Sequence, residues 1–258
     1  MCDWFASALG SALLDAERKA LLPWHGRLFG QQVLQLGCAN GVSLLTDTPA
    51  SLKISFAPAW DSERPVPVAD NAALPLESDS VDAVLVHHAL DFAPDSHRLL
   101  REAGRVTAPG GRLLIIGFNP VSLWGLGRLL RRRRAPWNGR FIGLYRMQDW
   151  LRLLDFQVEN IGYGGFLLPY EGQRMLRRAA QYEQFGHRYL KPLGGFYLIT
   201  ARKQVLPLTP VESRWPKLRS PVLGGPVVDA GRMASRKADK VVPLRWDRNR
   251  DGERDPIS

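Results

Sequence analysis

Cysteine is nearly absent from this chain: Cys2 and Cys38 are the only two in 258 residues. No Cys-x-x-Cys or other metal-ligand spacing joins them, which weighs against a structural zinc site and suits a reducing cytosol. Long apolar runs are missing too, since nothing approaches the ~20 residues that a membrane span needs. The opening stretch, MCDWFASALGSALLDAERK, has no early basic region and carries Asp3 instead, which argues against a secretory leader. These absences together predict a cytoplasmic protein. Acidic side chains disappear altogether between Glu102 and Asp149. That interval holds nine arginines (Arg105, Arg112, Arg128, Arg131, Arg132, Arg133, Arg134, Arg140 and Arg146), nearly the whole of the +10 net charge. A field of that sign attracts nucleic acid, acidic lipid or an anionic substrate. The dinucleotide fingerprint G-x-G-x-x-G and the phosphate-loop Gly-Lys-Ser/Thr ending are also lacking.

What is present is a strand-like run that ends in small residues: VLQLGCANG at 33–41. Glycines at 37 and 41 let a ligand approach the backbone without side-chain obstruction. In an open α/β sheet the first strand-to-helix turn is where a nucleotide-like cofactor docks. By itself the turn is equally an ordinary tight strand–helix connection.

Periodicity supplies the remaining elements. Residues 4–22 carry apolar positions at helical spacing, with Asp15, Glu17, Arg18 and Lys19 grouped towards one side. They predict an amphipathic helix packed on a sheet, or one that also covers a pocket. Strands are expected at 33–37, 52–56, 66–69, 81–86, 112–118, 156–163 and 196–202, the last with the alternation of an edge strand. Helices are expected at 42–46, 97–106, 145–154 and 171–189, with a stop at Pro109-Gly110-Gly111. The run at 81–86 is apolar apart from Asp82, as in a strand buried on both faces. From 206 to 258, seven prolines and eleven basic against seven acidic residues predict a disordered basic tail, solvated or tethered to an acidic partner.

Four stretches stand in a telling order: 33–41, DNAALPLESDSVD at 70–82, VLVHHALDFAPD at 84–95, and LLREAGRVTAPGGRLLIIGF at 99–118. Together they resemble the class I S-adenosylmethionine-dependent methyltransferases, in particular the type 11 family. The resemblance covers about residues 30–120 directly and reaches about 205 by element order. It implies an α/β fold over residues 1–205, a Rossmann-like, seven-stranded, mostly parallel sheet with helices on both faces. It implies S-adenosyl-L-methionine as cofactor and no metal. The cofactor-binding positions it implies are Gly37, Cys38, Ala39 and Gly41 in the loop, Ser55 in the ribose slot, Asp70, Asn71 and Ala72 at the adenine, and His87.

The chain departs from the family pattern at three positions. Gln35 stands where an acid precedes the first glycine, Ser55 falls where a ribose-gripping acid is usual, and Ala39 replaces the middle glycine. Three readings follow. Asp61 or Glu63 reaches in from the next loop, the neutral residues suffice at lower affinity, or the fold persists without the cofactor. Asp70 reads either as the adenine acid or as a turn cap. His87 and His88 end a central strand, where an acceptor would be presented; they read as proton-accepting groups or as packed rings. Asn119 and Trp124 open an apolar segment that leads into the arginine run from Arg128 to Arg134. That segment reads as a substrate cap or membrane-surface contact, or as a solvated charge run beside a packing helix. His88, Asn119 and Trp124 are the candidate substrate contacts. Tyr170, Tyr182 and Tyr189 are candidates to line a pocket, or plain packing.

The function implied is methyl transfer to a small or amphiphilic acceptor. Two alternatives stand beside it. One is an RNA methyltransferase, suggested by the arginines but without an Asn-Pro-Pro-Tyr-like segment after the fourth strand. The other is a non-catalytic scaffold that binds an anionic partner through its cationic face.

Overall fold

The computed structural model describes residues 2–26, 32–39, 42–46, 48–56, 67–131, 135–167, 169 and 179–205. The tail at 206–258, the acids Asp61 and Glu63, Gly41, Tyr170 and three arginines of the basic run, Arg132, Arg133 and Arg134, lie outside those residues. Six strands make one sheet: β1 (Gln32–Gly37), β2 (Leu52–Phe56), β3 (Val81–His87), β4 (Thr107–Phe118), β5 (Phe156–Gly164) and β6 (Phe196–Lys203). Their spatial order is β2-β1-β3-β4-β6-β5. The first four are parallel, and β6 runs antiparallel between β4 and β5.

Alternation along the strands explains the two layers. Val33, Ala83, Leu85, Leu114 and Ile116 point to one face, where Leu9, Leu13, Leu21 and Trp24 of α2 (Ala8–His25) cover them. Leu34, Leu36, Val84, Val86, Leu113 and Ile115 point to the other. There Leu99, Leu100 and Ala103 of α4 (Ser96–Val106) and Met147 and Leu151 of α6 (Leu144–Leu153) close the core. The remaining helices are α1 (Cys2–Phe5), α3 (Ala89–Phe92), α5 (Leu123–Arg131) and α7 (Ala179–Tyr189). No helix among the described residues is long and apolar enough to cross a membrane.

Several expectations need correction. Among the described residues the sheet has six strands, not seven: 67–70 contribute only isolated bridges, including Asp70 to Ala73. Pro67 lacks the N–H that a ladder requires there. Of the last two strands the edge one is β5, opposite the β2 edge, whereas β6 is interior and buried from Phe196 to Ala201. Its alternation misleads because Tyr197 is buried against the second face, its hydroxyl donating to Ile142 O at 3.0 Å. Residues 42–46 form no helix. The single helix expected at 4–22 is two, parted at Ser7, whose Oγ accepts the Gly10 N–H at 3.1 Å and caps α2. That helix continues through Pro23 to His25, because burial of Leu21 and Trp24 on either side outweighs the one backbone bond that proline removes. Pro109-Gly110-Gly111 falls inside β4 as a register shift opposite Val81 and Ala83, with Gly110 at φ +77.

Candidate functional site

The carboxyl ends of β1 and β3 open into a cleft of about 420 Å³, a size suited to a nucleotide-like ligand. Its walls come from three places. Gly37 and Cys38 leave β1, residues 69–72 cross above them, and the far wall runs from Ala89 through Phe92 to the first turn of α4. Burial pushes the Cys38 thiol well above its ordinary value, so that residue contributes shape and backbone rather than a thiolate.

Asp70 both caps and lines. Its Oδ1 accepts the Ala72 N–H at 2.9 Å, and its carbonyl accepts the Ala73 N–H at 2.8 Å. The turn is therefore fixed by the residue's own carboxylate, and the other oxygen is left for a ligand on the cleft wall. The neighbouring Asn71 has a buried Oδ1 with no partner among the described residues. A buried acceptor in that state carries a desolvation cost that a ligand donor would remove. On the opposite wall Asp95 caps α4 by accepting the Arg98 N–H at 3.0 Å, and Arg98 Nε donates to Ala72 O at 3.2 Å. The two walls are thus tied together beside the opening. Phe92, Asp95 and Arg98 are lining residues that sequence reasoning missed. Their signal was positional: an acid at the cap and a base in the first turn of α4, the second helix after a central strand.

Five of the expected cofactor residues meet in this cleft: Gly37, Cys38, Asp70, Asn71 and Ala72. Ala39 does not, being 7% exposed within the core beside α2. Ser55 is exposed on β2 and borders none of the cleft. Gln35 is buried and fully used. Its amide donates to Val42 O, and its Oε1 accepts the Leu44 N–H at 2.9 Å. A carboxylate could accept the second bond but could not donate the first. The departure from an acid at 35 therefore fastens the chain as it returns from the loop.

The two histidines lie elsewhere. Both are 0% exposed, beneath α1 and α2. Glu17 reaches them from the apolar stripe of α2, one turn from Leu13 and one from Leu21, and not from the solvated side expected for it. Its Oε2 meets His87 Nε2 at 2.8 Å and its Oε1 meets His88 Nε2 at 2.7 Å. His88 Nδ1 meets Asp91 Oδ2 at 3.1 Å, and that oxygen also accepts the Phe118 N–H at 3.0 Å. His88 sits at φ +51, a left-handed turn that swings its ring back towards Glu17 and onto Phe118, with centroids 4.0 Å apart.

Burial alone would raise the Glu17 carboxyl, but the charges and hydrogen bonds of His88 and His87 hold it at about 2. Burial alone would lower His88, but Glu17 and Asp91 raise it to about 9. His87 is lowered, chiefly by burial. The arrangement is a Glu17–His88 ion pair with a neutral His87 alongside. Glu17, His87 and His88 also bring ligand-type atoms within 4.8 Å of one another. The separations of 2.7 and 2.8 Å are hydrogen-bond lengths, and protons account for them.

Asn119 and Trp124 are likewise sealed. Asn119 donates to Pro192 O at 2.8 Å and Gly194 O at 2.9 Å, stapling the end of β4 to the turn before β6. Trp124 is 1% exposed and donates to Leu167 O at 2.8 Å. As candidate substrate contacts, His88, Asn119 and Trp124 are corrected to internal positions, and His87 as a cofactor contact with them. Glu17 takes one ring nitrogen of each histidine, Asp91 takes the other nitrogen of His88, remote carbonyls take Asn119 and Trp124, and His87 Nδ1 has no partner among the described residues. Tyr182 and Tyr189 lie exposed on α7.

Comparison with known proteins agrees with this geometry. A family model described as a methyltransferase domain matches residues 34–115. The uncharacterized protein YafS of Escherichia coli is 34% identical over 211 residues, 80% of this chain and 82% of that one. Demethylmenaquinone methyltransferase of Mycolicibacterium paratuberculosis is 34% identical over 101 residues, covering 36% of this chain and 44% of that relative. A solved S-adenosylmethionine-dependent methyltransferase of Thermotoga maritima superposes with a TM-score of 0.57 at 23% identity, over 78% of this chain and 93% of that one. Geranyl diphosphate C-methyltransferase of Streptomyces coelicolor gives 0.51 at 15% identity, over 72% and 75%.

Proposed function

Because the chain belongs to the class I S-adenosylmethionine-dependent methyltransferases of the type 11 family, we propose that the cleft beyond β1 and β3 holds S-adenosylmethionine and that the methyl group passes from it to a small or amphiphilic acceptor. The observation that carries this reading is the pairing of Asp70 and Asn71 on one wall. One has a carboxylate oxygen to spare and the other a buried acceptor with no partner among the described residues. An adenine amino group supplies the donor that both lack. Gly37 and Cys38 give the backbone approach, and Ala89, Phe92 and Ala93 give an apolar wall that keeps water away. Asp70 and Asp95 against Arg98 leave the cleft net negative, which favours a cofactor with a cationic sulfonium.

When bound, the cofactor supplies an electrophilic methyl carbon. The chain's part is alignment and exclusion of water, the terms that favour an in-line displacement. Among the described residues no imidazole borders the cleft, so no histidine is assigned as a base. Quinone and isoprenoid acceptors named for the relatives are compatible with an acceptor that has an apolar body.

Calorimetry with S-adenosylhomocysteine tests the reading. Saturable binding at one site is expected. No heat at millimolar ligand, with the protein folded, removes it.

A further inference from the structure

A second cavity, of about 550 Å³, lies on the other side of an aromatic wall from the cofactor cleft. Phe92 lines the cleft and Phe141 lines the second cavity. Phe118 stands between them, 6.4 Å from the first ring and 4.8 Å from the second. The cavity is a groove between α5 and the segment that follows α7. Of its eleven described lining residues only Ser122 and Arg128 are polar. Ser122 is satisfied, its Oγ donating to Asn119 O at 2.7 Å and accepting the Gly125 N–H at 3.2 Å. Arg128 is not: its Nε is buried and has no partner among the described residues. Its guanidinium lies 5.7 Å from the Phe141 ring centroid, which holds the cation against the apolar wall.

The groove is open to solvent and apolar at once. Leu123, Leu126, Leu190 and Leu193 are 49%, 56%, 40% and 44% exposed. Apolar side chains gathered at an opening of this kind mark a place where hydrocarbon is buried. Among the described residues no carboxylate lines the groove, and none occurs in the 103–148 stretch that supplies most of it. A buried, unpartnered guanidinium N–H on a residue that lines such a groove calls for an anionic acceptor group, because charge-assisted bonds are the strong ones in a desolvated setting.

We propose that this groove binds a single-chain anionic amphiphile, with hydrocarbon along the α5 leucines and the anionic group on Arg128. That this amphiphile is the methyl acceptor rests on the methyl-transfer reading above; that the groove binds it does not. The chemistry asked for is one hydrocarbon chain with one phosphate or carboxylate head, taken up as a monomer.

Calorimetry on the full chain with decyl phosphate, decanol and inorganic phosphate, each below its aggregation limit, tests this. Decyl phosphate is expected to bind about tenfold or more tighter than decanol, the size of one charge-assisted hydrogen bond. Inorganic phosphate is expected to bind far more weakly than either. Arg128→Gln removes the preference for the phosphate and leaves decanol binding in place. Leu126→Asp, at an exposed position, weakens both. Equal affinity for decyl phosphate and decanol overturns the proposal. So does inorganic phosphate binding as tightly as decyl phosphate, or binding to phosphatidylglycerol vesicles with none to the monomer. S-adenosylhomocysteine is titrated into the same samples. Its failure to bind tells against the methyl-transfer reading alone, while the amphiphile titrations still decide the groove.

Discussion

Two polar clusters sit side by side at the carboxyl edge of the sheet, and they are built on opposite plans. In the first, Glu17, His87, His88 and Asp91 are 0–1% exposed and bond chiefly to one another. In the second, Gly37, Asp70 and Asn71 border an opening, and Asn71 Oδ1 has no partner among the described residues. The first contains the residue types that look reactive; the second consists of small residues, an amide and a turn-capping acid. Reactive-looking type therefore does not locate the site in this protein. A buried ion pair enclosed by the core fixes a docking geometry even though His87 Nδ1 and Asp91 Oδ1 have no partner among the described residues, while an unpartnered acceptor beside an opening is where a ligand gains binding energy.

The sharpest way to break this contrast is Glu17→Gln. It removes the charge that faces two buried imidazoles and leaves His88 with Asp91 as its remaining carboxylate partner. A loss of about 3–5 kcal/mol in urea denaturation is expected, with S-adenosylhomocysteine affinity of the remaining folded protein nearly unchanged. A loss under 1 kcal/mol would show that the network is incidental to stability. The same variant sharpens the pH dependence. His88 is raised, so its contribution is complete below about 6.5 and is lost as pH climbs through about 9. Glu17 is lowered, so its contribution is present above its usual 4.5 and is lost only as pH falls through about 2. Wild-type stability should therefore decline between pH 7 and pH 10 by an amount on the order of 3 kcal/mol more than that of Glu17→Gln. Parallel curves would contradict the ion pair.

Asp70→Ala acts on the other cluster and should do the reverse. Cofactor-product affinity is expected to fall by about tenfold or more, for the loss of a charged acceptor. Stability should fall by only about 1 kcal/mol, the worth of a capping bond. Calorimetry and denaturation on one sample separate the two effects. Gln35→Glu restores the family's usual acid. It forfeits the bond to Val42 O and buries a charge, and a stability loss of about 1–3 kcal/mol is expected. A gain in cofactor affinity without that loss would mean that Gln35 is a decayed ligand and not a fastener.

Much of the frame was legible in the chain because strand patterns are local. The run at 52–56 matches β2 residue for residue, and the ends of β1, β3, β4 and α4 fall within a few positions of those expected. The wall at 69–72 was legible for the same reason: Asp70, Asn71 and Ala72 are contiguous and follow a recognisable spacing. Glu17 was not, because its partners are 70 and 71 residues away and its own neighbours Asp15, Arg18 and Lys19 are charged. Only the Leu13–Glu17–Leu21 spacing hinted that this carboxylate faced inward. The far wall of the cleft escaped because Asp95 and Arg98 look like any helix start until residues 69–72 are folded against them.

The reversed direction of β6 decides where anything attached to the chain beyond Val205 begins. Phe196 lies opposite Phe118, beside the cleft edge, and Arg202 lies opposite Arg112, at the far end of the same strand. Six residues of extended backbone, about 20 Å, separate the two. A fluorophore placed on Val205 itself sits at the amino edge of the sheet, with the full height of the sheet between it and both cavities.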